Sequence, residues 1–226
     1  MLAILSGDEK LIETFRKGED IHAAVASRMF AVPLNEVTPD MRRVAKVINF
    51  GILFGMGVTA LAKNLGTNRE EAQRFYNNYF ETFPGVASYI ESTKEQARTK
   101  GYTETLFGRR RYLPQINAAA PFLRAFAERM ASNAPIQGTE ADILKIAMLL
   151  VDQDLSSAGL SDKVFLLLQI HDELVYEVHE SVLEKAKEVI ERAMLSVYER
   201  SPIAIEHPSV PLALSGGVGV SLDQLK

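Results

Sequence analysis

Apolar residues recur at helical spacing along most of the chain, punctuated by capping residues, prolines and glycines. Ser6 and Glu9, three apart, have the form of a capping box ahead of Leu11, Ile12 and Phe15, and Gly18 ends that helix. Asp20 is placed to cap a second helix, from Ile21 to about Phe30. Thr38 followed by Pro39 opens a third, with Gly55 and Gly57 at its far end. Thr67 and Glu70 begin a helix to about Thr82, and Pro84-Gly85 turns the chain into another that closes at Gly101. Residues 102–107 alternate and are β-rich, and Gly108 through Tyr112 turn the chain. A helix from about Ala118 to Asn133 is then broken by Pro135, and the next runs from about Gln137 to Ala158, where Gly159 caps it.

The period changes in the last third. Val164 to Ile170 is apolar except for Gln169, which predicts a buried strand. The polar residues His171, Asp172 and Glu173 form a turn, and Leu174 to Val178 returns as a second strand of a hairpin spanning 164–178. Val182, Leu183, Ala186, Val189, Ile190, Ala193, Met194 and Val197 mark an amphipathic helix of five turns, and Val210 to Val220 reads as a closing strand. The expected class is α+β, mostly helical, with a small antiparallel sheet.

Arg42, Lys46, Phe50 and Phe54 recur every fourth residue on the helix that starts at Pro39. They form one stripe, cationic at its start and aromatic at its end, roughly 18 Å long at about 1.5 Å per residue. That is the reach of an extended nucleoside triphosphate, with cations suited to phosphate oxygens and rings to a sugar or base. The plainer reading is an amphipathic helix with snorkelling cations and core phenylalanines. His22 lies in a first helical turn, where anions are favoured, although a capping role would also explain it. A polar turn is likewise the plainer reading of His171-Asp172-Glu173, but a hairpin tip is a rigid place to present acids.

Composition narrows the class. Of 226 residues, 47% are hydrophobic and 24% charged, the balance of a globular protein. No run of about 18 apolar residues occurs, and the short apolar N-terminus lacks the basic flank of a signal peptide. With no cysteine there are no disulfides or thiolate metal sites, which fits a cytoplasmic location. The net charge of −4 is unevenly spread: residues 38–129 hold 14 Lys and Arg against 8 Asp and Glu, the remainder 11 against 21. A basic stretch of this kind can face phosphate.

Arg42-xxx-Lys46-xxx-Phe50-Gly51-xx-Phe54-Gly55 resembles motif B of family A DNA polymerases, the bacterial DNA polymerase I group. It departs at Phe54, where the family has tyrosine. Leu168-Gln169-Ile170-His171-Asp172-Glu173-Leu174-Val175 is similar to the family's motif C almost letter for letter. Between them, Thr105-Leu106-Phe107-Gly108-Arg109-Arg110-Arg111 and the stretch from Glu128 to Asp142 also resemble family segments, with Glu140 where a small residue is usual. Ser6 through Glu9 and Asp20-Ile21-His22 resemble the segment that follows motif A. The tryptophan usual after the closing Gly-x-Gly is missing.

The resemblance implies template-directed nucleotidyl transfer to a primer 3′ end. It places 1–37 at the start of a palm-to-fingers segment, 38–105 in the fingers and 106–226 in the C-terminal half of a palm. It implies that His22, Arg42 and Lys46 grip the triphosphate, Phe50 packs on the sugar and Phe54 sits by the template base. Arg109, Arg110, Arg129, Asn133, Gln137, Gln169 and His171 would contact DNA. Asp172 would bind Mg2+, with Glu173 and Lys46 assisting the chemistry. Primer-template DNA and deoxynucleoside triphosphates are the implied partners.

Relatives carry motif A, with the other metal-bridging aspartate, just upstream of the segment that opens these 226 residues. Two metal ions need both carboxylates, so the chain by itself is expected to show little polymerase activity. The motif A strand pairs beside the motif C hairpin, so a bare sheet edge and self-association, or an N-terminal polymerase half as partner, are also expected. The alternative reading is a catalytically inactive remnant or split-gene half that binds nucleotide or DNA. An unrelated metal-dependent phosphohydrolase built on His171-Asp172-Glu173 fits less well, because only four histidines exist.

Overall fold

The structure is a computed structural model that describes residues 1–203, 205 and 208–225, with Leu53 described in its backbone alone. It divides into two compact units, Met1–Glu140 and Ala141–Lys226. The α+β class holds, with many helices and two separate two-stranded antiparallel sheets.

In the first unit, α1 (Leu2–Ser6) precedes α2 (Glu9–Arg16), and Ser6 belongs to α1. The cap of α2 is therefore Asp8, which accepts from Leu11 N, and the expected Ser6–Glu9 box is not formed. Asp8 also accepts from Gly85 N at 2.9 Å, joining α2 to the Pro84-Gly85 turn. A Cβ on Gly85 would stand 2.8 Å from Asp8 Cα, so the close approach requires glycine. α3 (Ile21–Phe30) starts at the expected Asp20 cap, and α4 (Pro39–Leu53) at the Thr38 cap, whose hydroxyl accepts from Met41 N. α4 buries Ala45, Ile48 and Ile52 and packs on α3. Its opposite face carries Arg42, Lys46 and Phe50 into solvent.

Local pattern misplaced several boundaries. α5 (Val58–Leu65) lies in a stretch with no cap signal other than Gly57 and was not anticipated. α6 (Arg69–Thr82) is capped by Asn68 through Glu71 N, while the Thr67 hydroxyl bonds the Glu71 carboxylate, so the Thr67–Glu70 box is corrected. α7 (Pro84–Lys100) ends at a left-handed Gly101 as expected. Next come β1 (Tyr102–Glu104) and β2 (Arg110–Tyr112), paired as a hairpin.

Pro135 does not break the following helix. α8 runs unbroken from Pro121 to Ser157, with Pro135 buried inside it. A proline removes one helical hydrogen bond and crowds the preceding turn, costs that tertiary packing can outweigh. Ala97, Leu113, Ile116, Ala127 and Ala131 form a buried cluster against the first part of α8. Tyr79, Phe83 and Val86 fill another part of this unit's core, with the Tyr79 and Phe83 rings 5.0 Å apart.

The second unit takes the rest of α8, then β3 (Val164–Ile170), β4 (Glu173–Val178), α9 (Leu183–Leu195) and α10 (Val197–Arg200). Arg200 holds both carboxylate oxygens of Asp154 at 2.7 and 2.8 Å, fixing α10 to α8. The predicted five-turn helix is interrupted at Ser196. No strand forms over Val210 to Val220, because no β-bridge partner lies beside it among the described residues. The expectation that β3 is buried also fails: Val164 is buried, but Phe165 through Ile170 are exposed. Within a two-stranded sheet only β4 lies beside β3, leaving both faces of its apolar run uncovered among the described residues.

Candidate nucleotide and nucleic-acid site

In the first unit, Asp20 does two jobs. Its Oδ1 accepts from His22 N and Ala23 N at 2.9 Å, capping α3. Its Oδ2 accepts from Arg42 Nε at 3.0 Å and Nη2 at 2.8 Å, reaching across to α4. The Arg42 guanidinium, followed by the capped backbone N–H groups, holds the Asp20 carboxyl below its usual range. The cap was legible in sequence. The ion pair was not, because it joins residues 22 positions apart.

His22 stands beside this pair. Its Nδ1 lies 3.2 Å from Asn49 Nδ2, and its ring centroid 5.7 Å from that of Phe50. With the Asn49 nitrogen as donor, Nδ1 accepts and the proton of a neutral ring sits on Nε2. Partial burial lowers the His22 pKa, the Arg42 and Lys46 charges push the same way, and Asp20 opposes them. α3 and α4 thus bring His22, Arg42, Lys46 and Phe50 together, with Arg42, Lys46 and Phe50 exposed. Asn49 is a member of this group that sequence reasoning missed. Phe54 follows the last helical residue and is also exposed.

Gly55, at φ +66°, then turns the chain against α8. A Cβ there would stand 2.9 Å from Arg129 Cγ, so both the left-handed backbone and the close approach require glycine. The end of the α4 stripe therefore packs against Arg129. Phe122, Phe126, Arg129, Asn133 and Gln137 share one face of α8 by their spacing. Phe122 and Phe126 are exposed, and the Arg129 guanidinium carbon lies 5.8 Å above the Phe126 ring centroid. Asn133 Oδ1 is buried with no hydrogen-bond partner among the described residues. Nearer residue 138, Arg109 donates to Gly138 O at 2.9 Å and Thr139 Oγ1 accepts from Leu106 N, seating the hairpin on α8. Arg110 is committed to Glu104 at 2.9 Å and lies over the Tyr102 ring at 4.7 Å, which leaves it less free for phosphate than the sequence implied.

In the second unit, β3 and β4 are joined by two residues, His171 and Asp172, since Ile170 pairs directly with Glu173. Glu173 therefore opens β4, where a three-residue polar turn had been expected. His171 takes φ +54°, and Gln169 Nε2 donates to its carbonyl at 3.0 Å. His171, Asp172 and Glu173 are all exposed. Among the described residues neither Asp172 nor Glu173 pairs with a cation, and no group of three or more His, Cys, Asp or Glu could hold a metal ion. Two adjacent carboxylates suit magnesium, which uses one or two such ligands and completes its shell with water and substrate phosphate. No helix among the described residues is long and apolar enough to cross a membrane.

The family model for DNA polymerase family A matches residues 1–224. DNA polymerase I of Pseudomonas aeruginosa is 45% identical over 224 residues, 99% of this chain and 23% of that protein. The thermostable DNA polymerase I of Thermus aquaticus is 47% identical over 219 residues, covering 97% and 25% respectively. The POL domain of Pol1 from M. smegmatis, solved in complex with DNA primer-template and dNTP, superposes with a TM-score of 0.86. It is 43% identical, and the match covers 95% of this chain and 36% of that one. The chain spans about a quarter of the length of these curated relatives. With the model matched almost end to end, the chain belongs to DNA polymerase family A.

Proposed function

We propose that these 226 residues carry the nucleotide-binding part and one metal-binding carboxylate of a DNA-directed DNA polymerase, which extends a primer 3′ end against a template. The observation that carries the reading is the exposed row of Arg42, Lys46 and Phe50 on α4, with His22 beside it. In this reading residues 38–105 serve as fingers, 106–226 as the C-terminal half of a palm, and 1–37 lead into the fingers.

Arg42 and Lys46 would bind the triphosphate oxygens, and the His22 ring N–H would donate to one of them. Binding would exchange the Asp20 carboxylate on Arg42 for phosphate. Phe50 would pack on the sugar, and Phe54 would lie by the template base. Phe54 keeps the ring of the family's tyrosine without its hydroxyl, so it positions by shape alone. Arg109, Arg110, Arg129, Asn133 and Gln137 would meet the DNA in the first unit, and Gln169 and His171 the primer end in the second. Asp172 is the residue that would hold magnesium, with Glu173 beside it. A bound magnesium ion neutralises charge on the phosphates and favours the 3′ oxygen as nucleophile.

The lack of a three-ligand acidic group among the described residues supports a second reading, in which these residues bind nucleotide and DNA but need a carboxylate from elsewhere for chemistry. Primer extension with magnesium and four deoxynucleotides, beside Asp172→Ala, tests both. The 226 residues alone are expected to be nearly silent, and an added segment carrying motif A and a thumb is expected to restore synthesis that Asp172→Ala abolishes. Synthesis indifferent to Asp172→Ala would contradict the assignment of Asp172. Continued silence with the segment present would leave the non-catalytic reading standing.

A further inference from the structure

The exposed phenylalanines at the start of α8 are not used by the nucleotide-binding row. Phe122 is 72% exposed and Phe126 50%, values at odds with a core role. They lie one turn apart on the same face, about 6 Å along the axis, the length of roughly two stacked nucleotides at 3.4 Å each. Arg129 continues that face and stands over the Phe126 ring, and Gly55 at the end of the α4 row packs on Arg129. Gly55, next to Phe54, thus approaches Arg129, which in turn lies over Phe126, with Phe122 one turn further along the same face.

Charge decides what would cover this face. From Thr105 through Ala127 the chain has four arginines and no carboxylate. Glu104, just before this stretch, is held by Arg110 at 2.9 Å, and Glu128, the first acid on α8, points away from the phenylalanines by its spacing and is held by Arg98 at 3.0 Å. A face with aromatic rings and an excess of arginines suits a polyanion with exposed ring faces, and a second copy of this net-acidic chain suits it less well. A duplex hides its base faces, whereas an unpaired strand offers them.

We propose that Phe122 and Phe126 form a stacking platform for unpaired nucleotides of the template strand, which Arg129 links to the nucleotide-binding row. The proposal rests on the polymerase reading above and adds two residues and a ligand state to it. Arg129 supplies a guanidinium plane at the junction, and the two rings receive bases of the strand without reading their sequence.

The test uses the 226-residue chain and a fluorescent oligodeoxythymidylate, with a second oligonucleotide carrying 5-iodouracil for photocrosslinking. Phe122→Ala and Phe126→Ala are each expected to weaken oligonucleotide binding by roughly 5-fold or more. Phe126→Leu, which keeps apolar bulk but loses the ring, should weaken it as well, and Phe126→Trp should restore it. Crosslinks should map to residues 122 and 126. Binding unchanged in all these variants, while Lys46→Ala still abolishes triphosphate binding, would overturn the platform and leave the polymerase reading intact. Phenylalanine-dependent oligonucleotide binding with triphosphate binding indifferent to Lys46→Ala would uphold the platform and remove the polymerase reading. If the alanine variants dissociate a dimer in light scattering and leave oligonucleotide binding unaltered, the face joins copies of the chain and the proposal fails.

Discussion

Phe83 and Phe165 are the same amino acid, and the two units treat them oppositely. In the first unit Phe83 is 0% exposed between helices α6 and α7, beside Tyr79. In the second unit Phe165 is 50% exposed on a two-stranded hairpin, with Leu166 through Leu168 equally open. An apolar run tells which surface is costly to leave in water and says nothing of what covers it. In the first unit neighbouring helices of the same chain provide the cover. For β3 no such cover exists among the described residues, and a bare apolar edge is a pairing surface.

The largest test of that contrast is stability. Phe83→Ala should cost about 3–5 kcal/mol in urea unfolding, the usual loss for a fully buried aromatic. Phe165→Ser should change stability by no more than about 0.5 kcal/mol. Equal losses would erase the contrast between the units. The next effect is on association. The wild-type chain should self-associate at tens of micromolar in light scattering, and Leu167→Lys, on the exposed strand, should shift it towards monomer. A wild-type chain that stays monomeric would mean that the exposed run is harmless.

A smaller effect belongs to the hairpin tip. His171 occupies a left-handed backbone conformation, which costs a non-glycine residue about 1–2 kcal/mol relative to glycine. His171→Gly should therefore raise or preserve stability, while His171→Val should lower it by about 1 kcal/mol or more. The smallest effect concerns Asp20, whose pair with Arg42 is half exposed and screened by water. Asn retains capping ability, so Asp20→Asn isolates the ion pair and should cost roughly 0.2–1 kcal/mol near neutral pH. The carboxyl pKa is lowered in the fold, so the pair's contribution is present above the unfolded value near 4 and fades as pH falls through the folded one. Wild type and Asp20→Asn should thus converge in stability on acidification.

Much of the candidate site was legible because its signals are local. The Asp20 and Thr38 caps fixed the phases of α3 and α4, and spacing four then put Arg42, Lys46 and Phe50 on one open face. The hairpin around Asp172 was legible from its alternation of apolar strand and polar tip. What escaped was non-local. Arg42 meets Asp20, and His22 meets Asn49, through the packing of α3 on α4, which no single helix encodes. Pro135 was read as a break because local rules price its lost hydrogen bond and not the burial of its surroundings. The exposure of β3 was hidden for the same reason, since a strand's sequence does not name its neighbour. Phe122 and Phe126 carry no local signal that sets them apart, and only the packing of the helices leaves them exposed.

The most direct measurement is calorimetric titration of the chain with a deoxynucleoside triphosphate in magnesium, beside Arg42→Ala and Lys46→Ala, with helix content checked by circular dichroism. The account predicts saturable binding that each substitution weakens roughly 10-fold or more, the scale of a lost charged hydrogen bond. Saturable binding that neither substitution alters, in variants with unchanged helix content, would contradict the placement of the triphosphate on α4.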